Sequence, residues 1–353
     1  MRLDGAGVRC GTLERMPKWL VCIPLVVQWI CLAARYGSGT LPAAANSRIT
    51  AGGLIGEGKL EYFAGMGSTA RASLARYLPI RVAERVPSEE LSQLLLRQTL
   101  TFPLIAKPDV GFCGYGVRFV ADIESLQDYL ESFPKGETVV IQEWLPQEGE
   151  AGIFYVRDPK TDCSSLIGLA LRYFPQVIGD GEQTIDQLIS VDQRLRRIKR
   201  TAHQMSTSGA RVAAKGERVR LATIGSTRVG GLYRDGADHI TTQLLVAIDA
   251  IARDMPEFYF GRFDVRFGSL DELRRGVGFK IIEVNGAGSE AIQAWDPDIS
   301  FFQALQTIFA KQRTLFRIGA ARRDGGVEPI KLAALARLFW RQQKLISLYP
   351  HSN

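Results

Sequence analysis

With 353 residues, 46% of them hydrophobic and 23% charged, the chain has the composition of a globular protein large enough for two or three domains. Its net charge of +7 suits anionic ligands, while the lack of zinc-finger spacing, an aromatic RNA-binding motif or a long basic tail excludes nucleic acid as a partner. Five scattered cysteines (Cys10, Cys22, Cys31, Cys113, Cys163) without a Cys-x-x-Cys pair point to free thiols in a reducing compartment.

The most apolar run is Trp19-Leu-Val-Cys-Ile-Pro-Leu-Val-Val-Gln-Trp-Ile-Cys-Leu-Ala-Ala34, interrupted by Pro24 and Gln28. Its length falls short of the roughly 20 residues that cross a bilayer. A buried helix is expected here, with a membrane-associated helix and an export signal as alternatives. A loop-rich connection over 37–58 leads to Lys59 and a helix over 60–65. A second helix is expected over 89–98, with Pro87-Ser88 as its cap. Residues 102–107 read as a strand ending in Lys107, followed by a loop carrying Gly111, Gly114 and Gly116 and a strand over 117–121. Such a hairpin brings backbone close to an anion.

A helix over 122–133 precedes an apolar strand over 139–145 that contains Glu143, Trp144 and Leu145. Gly149-Glu150 leads into further strands over 153–156 and 166–174. The dense basic run Arg194-Leu-Arg-Arg-Ile-Lys-Arg200 reads as a solvated helix face, or as a surface for an acidic substrate. A strand over 215–221, a polar loop over 225–231 and a helix over 241–253 follow.

Next come Gly261-Arg-Phe-Asp-Val-Arg-Phe267 and Phe279-Lys-Ile-Ile-Glu-Val-Asn285, two alternating strands joined by a turn-rich loop. Arg262, Asp264 and Arg266 share one face of the first, and Glu283 and Asn285 share one face of the second. An antiparallel pairing sets Asp264 roughly opposite Glu283. Two carboxylates and a carboxamide are hard oxygen ligands suited to Mg²⁺. A helix over 298–313 and a basic amphipathic helix over 330–348, carrying Phe339 and Trp340, close the chain. The last is expected to dock on its own protein, with peripheral membrane contact as the alternative.

Lysine, glycine-rich hairpin, apolar strand ending in an acid, then Asp…Glu-x-Asn: over residues 55–310 this order resembles the ATP-grasp superfamily. The metal-type strands look most like D-alanine–D-alanine ligase. The stretch Phe174-Pro-Gln-Val-Ile-Gly-Asp-Gly-Glu-Gln-Thr-Ile-Asp-Gln-Leu-Ile189 is instead similar to cyanophycin synthetase-like peptide ligases. The resemblance implies an α+β ATP-grasp fold with two α/β subdomains clamping ATP. Residues 1–55 would form a reduced N-terminal region, 56–140 and 141–312 the two subdomains, and 313–353 a C-terminal helical extension.

It also implies residue roles. Lys59 and Lys107, 48 residues apart, would reach the nucleotide phosphates, and Gly111, Gly114 and Gly116 would line a flap over them, where Cys113 would confer sensitivity to oxidation. Glu143, Trp144 and Leu145 would form the hinge beside adenine, and Glu150 would hold the ribose hydroxyls. Asp264, Glu283 and Asn285 would hold one or two Mg²⁺, with Mn²⁺ as a substitute, and Arg262 would stabilise an acyl phosphate. The implied activity is ATP-dependent ligation of a small-molecule carboxylate to an amine in the cytoplasm. A phosphotransferase and a membrane-docked nucleotide-binding module are the alternatives, and a homo-oligomer is compatible with either. The short region before Lys59 and the sequence Gly-Ala-Gly-Ser289-Glu290 after Asn285 depart from D-alanine–D-alanine ligases and leave the substrate open.

Overall fold

The computed structural model describes residues 10–82, 87–198 and 209–352. Its framework is two antiparallel sheets. The first has the order β1-β4-β2-β3, from β1 (Tyr77–Arg81), β2 (Leu104–Pro108), β3 (Arg118–Val120) and β4 (Thr138–Glu143). Helices Ser88–Arg97 and Ile123–Glu131 supply Leu91, Leu95, Leu126 and Tyr129 to a core shared with Leu104, Val139 and Ile141. Asp122 caps the second of these helices through the Ser125 amide at 2.8 Å. Ser88 does not cap the first; Pro87 takes the cap position and the Ser88 hydroxyl bonds Gln127 instead.

The second sheet contains β5 (Gly149–Arg157), β6 (Ser164–Tyr173), β9 (Leu232–Asp235), β10 (Phe260–Phe267) and β11 (Phe279–Asn285), in the order β11-β10-β5-β6-β9. A separate ribbon pairs β7 (Gln176–Ile178) with β8 (Arg218–Arg220). Every residue of β10 is buried. Phe263, Val265 and Phe267 enter the main core beneath helix Thr242–Arg253. Arg262, Asp264 and Arg266 are buried on the opposite face, so each must find a polar partner there. The two sheets meet where the Ala75 amide bonds the Ile281 carbonyl at 2.9 Å and Lys280 Nζ bonds the Ala72 carbonyl at 2.7 Å.

Four features differ from expectation. The apolar run forms helix Lys18–Tyr36, but only Val21 and Leu32 are buried in it, so it is docked along one side rather than enclosed. The helix expected over 298–313 runs from Phe301 to Asp324 and packs against both Lys18–Tyr36 and the turn Leu41–Asn46. The loop between β10 and β11 contains a short helix, Leu270–Arg274, capped by Ser269. Within the basic run, Arg194 is buried rather than solvated, held by Glu14 (2.8 Å from Nη2) and the Gly231 carbonyl (3.2 Å); residues 199–200 lie outside the described ones.

Candidate functional site

Strand register creates the centre. β10 pairs with β11 so that Asp264 faces Glu283 and Arg262 faces Asn285, with a bulge just after Asp264. On its other side β10 pairs with β5, setting Arg266 opposite Glu150. Asp264 is 1% exposed and both its oxygens are engaged. Arg262 donates to Oδ1 from Nε (2.6 Å) and to Oδ2 from Nη2 (3.0 Å), and Arg172 Nη2 and Asn285 Nδ2 also reach Oδ2, at 3.0 and 3.2 Å. Burial pushes the Asp264 carboxyl up, but Arg172 and Arg262 outweigh it and hold it below the ordinary range. Glu283 behaves alike: burial opposes its charge, Lys59 and Lys107 favour it, and its value ends below the usual one.

Both lysines converge on this centre. Lys59 Nζ lies 3.3 Å from Glu283 Oε1, at the start of helix Lys59–Ala64. Lys107 Nζ donates to Gln142 Oε1 and to the Ile282 carbonyl, both at 2.7 Å, and so links the first sheet to the second. Burial lowers the Lys107 ammonium to about 8 against the support of Glu283. Two cations from elements 48 residues apart thus flank a carboxylate from a third.

The glycine-rich loop sits over Lys59. The Lys59 amide bonds the Asp109 carbonyl (3.1 Å), and a Cβ at Gly111 would come within 2.5 Å of Lys59 Nζ, so a side chain there would displace the ammonium. Gly116 has φ +73°, and a Cβ there would stand 2.7 Å from the Pro108 ring. Carbonyls along the loop are held from outside. Gln342 Nε2 bonds Gly111 (2.9 Å), Tyr349 OH bonds Val110 (2.6 Å), Ser352 Oγ bonds Gly114 (2.8 Å) and Tyr129 OH bonds Gly116 (2.7 Å). Arg228 adds bonds to the Cys113 and Gly114 carbonyls, both 3.3 Å. Cys113 is exposed, yet desolvation and the Glu290 carboxylate push its thiol up to about 11. A protonated thiol is a poorer nucleophile than a thiolate.

Glu143, Trp144 and Leu145 are half-buried at the end of β4. Glu143 binds Arg76 through its carboxylate, with Oε2 at 2.8 Å from Nε, and the two backbones pair as well. The Trp144 ring receives the edge of Phe119 at 5.2 Å and has Arg220 and Arg266 over it at 5.6 and 5.4 Å. Glu150 is buried with its carboxylate between Arg172 (3.0 Å) and Arg266 (3.2 Å). Asp264, Glu283, Asn285, Arg262, Lys59 and Lys107 therefore gather at one point, Glu150 joins them through Arg172, and Trp144 meets Glu150 through Arg266, while Glu143 turns its carboxylate to Arg76.

Two participants escaped sequence reasoning. Arg172, which bridges Glu150 and Asp264, is the single charge in the apolar strand Leu-Ile-Gly-Leu-Ala-Leu-Arg-Tyr; its isolation was the available signal. Lys311 gave none, being one of many cations in its helix. It is directed at the Ser289 carbonyl beside Glu290 and Arg262, and burial lowers its ammonium to about 8. The buried Ser289 Oγ has no hydrogen-bond partner among the described residues.

Among the described residues no group of three or more His, Cys, Asp or Glu gathers as a metal site. The oxygen set of Asp264, Glu283 and Asn285 nonetheless fits a hard cation, since register brings all three to one face. Two antiparallel sheets are joined across a seam of lysines and carboxylates, under a glycine-rich hairpin, in an α+β fold. No protein-family model and no curated protein sequence matches the chain. Among solved structures it is similar to a bifunctional glutathione synthetase from Pasteurella multocida (13% identity, TM-score 0.39, 76% of this chain and 39% of that one). It is also similar to D-alanine–D-alanine ligase from Bacillus anthracis (14%, 0.40, 76% and 69%) and to the D-cycloserine synthetase DcsG (11%, 0.39, 73% and 70%). The chain thus spans about two fifths of the first of these proteins and about seven tenths of the other two.

Proposed function

We propose that the protein is an ATP- and Mg²⁺-dependent carboxylate–amine ligase. The observation that carries this reading is the convergence of Lys59, Lys107 and Arg262 on the Asp264–Glu283 pair at the seam between the sheets. A buried centre with two flanking lysines and a fixed arginine is built to hold polyphosphate and a developing anion together.

In this reading Lys59 and Lys107 offset the charge of the β- and γ-phosphates, and the loop of Gly111, Gly114 and Gly116 excludes water above them. Backbone groups of Glu143, Trp144 and Leu145 read the adenine edge. Glu150 takes the ribose hydroxyls by sharing its carboxylate with Arg172 and Arg266. Asp264, Glu283 and Asn285 hold the cation, which neutralises phosphate charge when bound. A substrate carboxylate oxygen attacks the γ-phosphorus and ADP leaves. An amine then attacks the acyl carbon, phosphate leaves, and the amine proton passes to solvent. Arg262 faces the oxyanion. Lys311 and Ser289 Oγ, on the same side, orient the carboxylate substrate, and Glu290 favours the approach of an ammonium over a second carboxylate.

Purified protein with MgATP, screened against amino acids, dipeptides and polyamines, is expected to release ADP only when an amine acceptor is present. Asp264→Ala and Glu283→Ala should abolish that release. ADP formation that survives both substitutions would overturn the reading.

A further inference from the structure

Helix Lys18–Tyr36 carries no charge between Lys18 and Arg35. Trp19, Ile23, Val26, Val27 and Ile30 recur at helical spacing on one face, and all are exposed, Trp19 by 68% and Ile30 by 61%. The opposite face is docked. Gln28, the only uncharged polar side chain within the helix apart from the aromatic tips, donates to the Phe309 carbonyl (2.9 Å) and to Gln312 Oε1 (3.0 Å). Gln312 Nε2 returns a bond to the Leu25 carbonyl (3.3 Å), and Trp29 meets Phe316 edge-on at 5.0 Å. The helix therefore lies flat on helix Phe301–Asp324 and turns its apolar face outward.

Beside the seam of these two helices is a cleft of about 440 Å³ lined by Arg35, Arg313 and Arg317 with Leu32, Tyr36 and Thr314. None of the three arginines pairs with a carboxylate among the described residues. The surrounding sequence is free of acids: no Asp or Glu occurs over 15–56 or 299–323. A contiguous apolar face beside a cleft whose lining holds three arginines and no acid is complementary to a surface with an apolar interior and anionic phosphates.

A second copy of the chain fits less well. Packed two-fold on this face, it would set the Lys18 end of one helix against the Arg35 or Lys18 end of the other, like charge on like. A spanning helix would have to abandon the Gln28–Gln312 and Trp29–Phe316 contacts. We propose that helix Lys18–Tyr36 seats the protein in the plane of an anionic phospholipid surface, with its outer face in the acyl boundary and the Arg35–Arg313–Arg317 cleft on lipid phosphate.

The test is co-sedimentation of the full chain with phosphatidylcholine vesicles, with and without phosphatidylglycerol. Binding to anionic vesicles is expected to exceed binding to neutral ones by about tenfold at low salt, and to fall away near 0.5 M salt, where screening acts over only about 4 Å. Arg313→Glu with Arg317→Glu should remove the preference for anionic vesicles, and Ile23→Ser with Val27→Ser should weaken binding to both. All four positions are exposed, and an unchanged melting curve would verify that the variants fold. Equal binding to neutral and anionic vesicles, or binding that resists about 1 M salt as a spanning helix would, overturns the proposal. So does an absence of vesicle binding, with or without a dimer in sedimentation. The assay needs no ATP turnover, so its outcome is separate from that of the ligase reading.

Discussion

The carboxylate centre and the glycine-rich loop above it are held in opposite ways. Asp264, Glu283, Arg262 and Asn285 are placed by the register of adjacent strands; Asp264, Arg262 and Asn285 bond one another, and Arg172 and Lys59 add bonds to Asp264 and Glu283. The loop is held by groups remote in sequence, among them Gln342, Tyr349 and Ser352, acting on its carbonyls. One site is rigid because neighbouring backbone defines it; the other keeps its position through side-chain contacts that can be removed one at a time. Breaking the first should cost activity and stability together, while breaking the second should change loop dynamics first.

The largest effect is expected at the centre. Asp264→Asn removes the only carboxylate that Arg262 pairs with among the described residues and one of the two that Arg172 pairs with, and leaving the buried Arg262 unpaired costs roughly 3–5 kcal/mol. Steady-state kinetics should show turnover down by about 10³-fold or more, and thermal melting should show the stability loss. A Tm equal to wild type would mean that the arginines relax into solvent and the site is less rigid than described.

In the loop, Gly116→Ala places a Cβ 2.7 Å from Pro108 at a φ of +73°. A loss of about 1–2 kcal/mol is expected, with faster hydrogen exchange confined to residues near 110–117. Exchange that rises equally in β10 would show that the two regions are one cooperative unit.

Lys311 sharpens the comparison through pH. Burial sets its ammonium at about 8, below the ordinary 10.5. Its charge therefore costs stability below about pH 8, and the cost is relieved as pH rises from about 8 toward the unfolded value. Lys311→Met should raise Tm at about pH 7, with the gain fading by about pH 10. If the ammonium orients a carboxylate substrate, KM in the wild type should climb by about tenfold per pH unit above 8, and this rise should vanish in the variant.

The smallest effect is Tyr349→Phe. It deletes one hydrogen bond to the Val110 carbonyl while retaining the stack on Phe133 at 5.1 Å. A cost of about 1 kcal/mol should appear as faster exchange in the loop and a modest rise in the KM for ATP. No change in loop exchange would leave Ser352, Gln342 and Arg228 as the effective clamp.

The same division explains what the sequence disclosed. Alternation in β10 and β11 is a local pattern, so the face of Asp264 and its pairing with Glu283 could be read before any coordinates. The hairpin of β2 and β3 was legible from its glycines, but apart from Tyr129 the residues that restrain it (Arg228, Gln342, Tyr349 and Ser352) lie more than 100 positions away. No periodicity encodes such a contact. Helix Lys18–Tyr36 was recognisable as a helix, yet its near-uniform apolarity hid which side faces out. Glu150 and Arg172 show a third limit. Arg172 is the single charge in β6 and Glu150 the single acid in β5, and only the β5–β6 register, which sets them opposite one another, reveals the bond between them.

The clamp on the glycine-rich loop has a practical consequence. His351 accepts a bond from Arg118 through its carbonyl, Ser352 is buried against Gly114, and Tyr349 is stacked on Phe133. The tail and the loop are therefore a single lever. A change at any of residues 349–352 would move the loop above Lys59 directly.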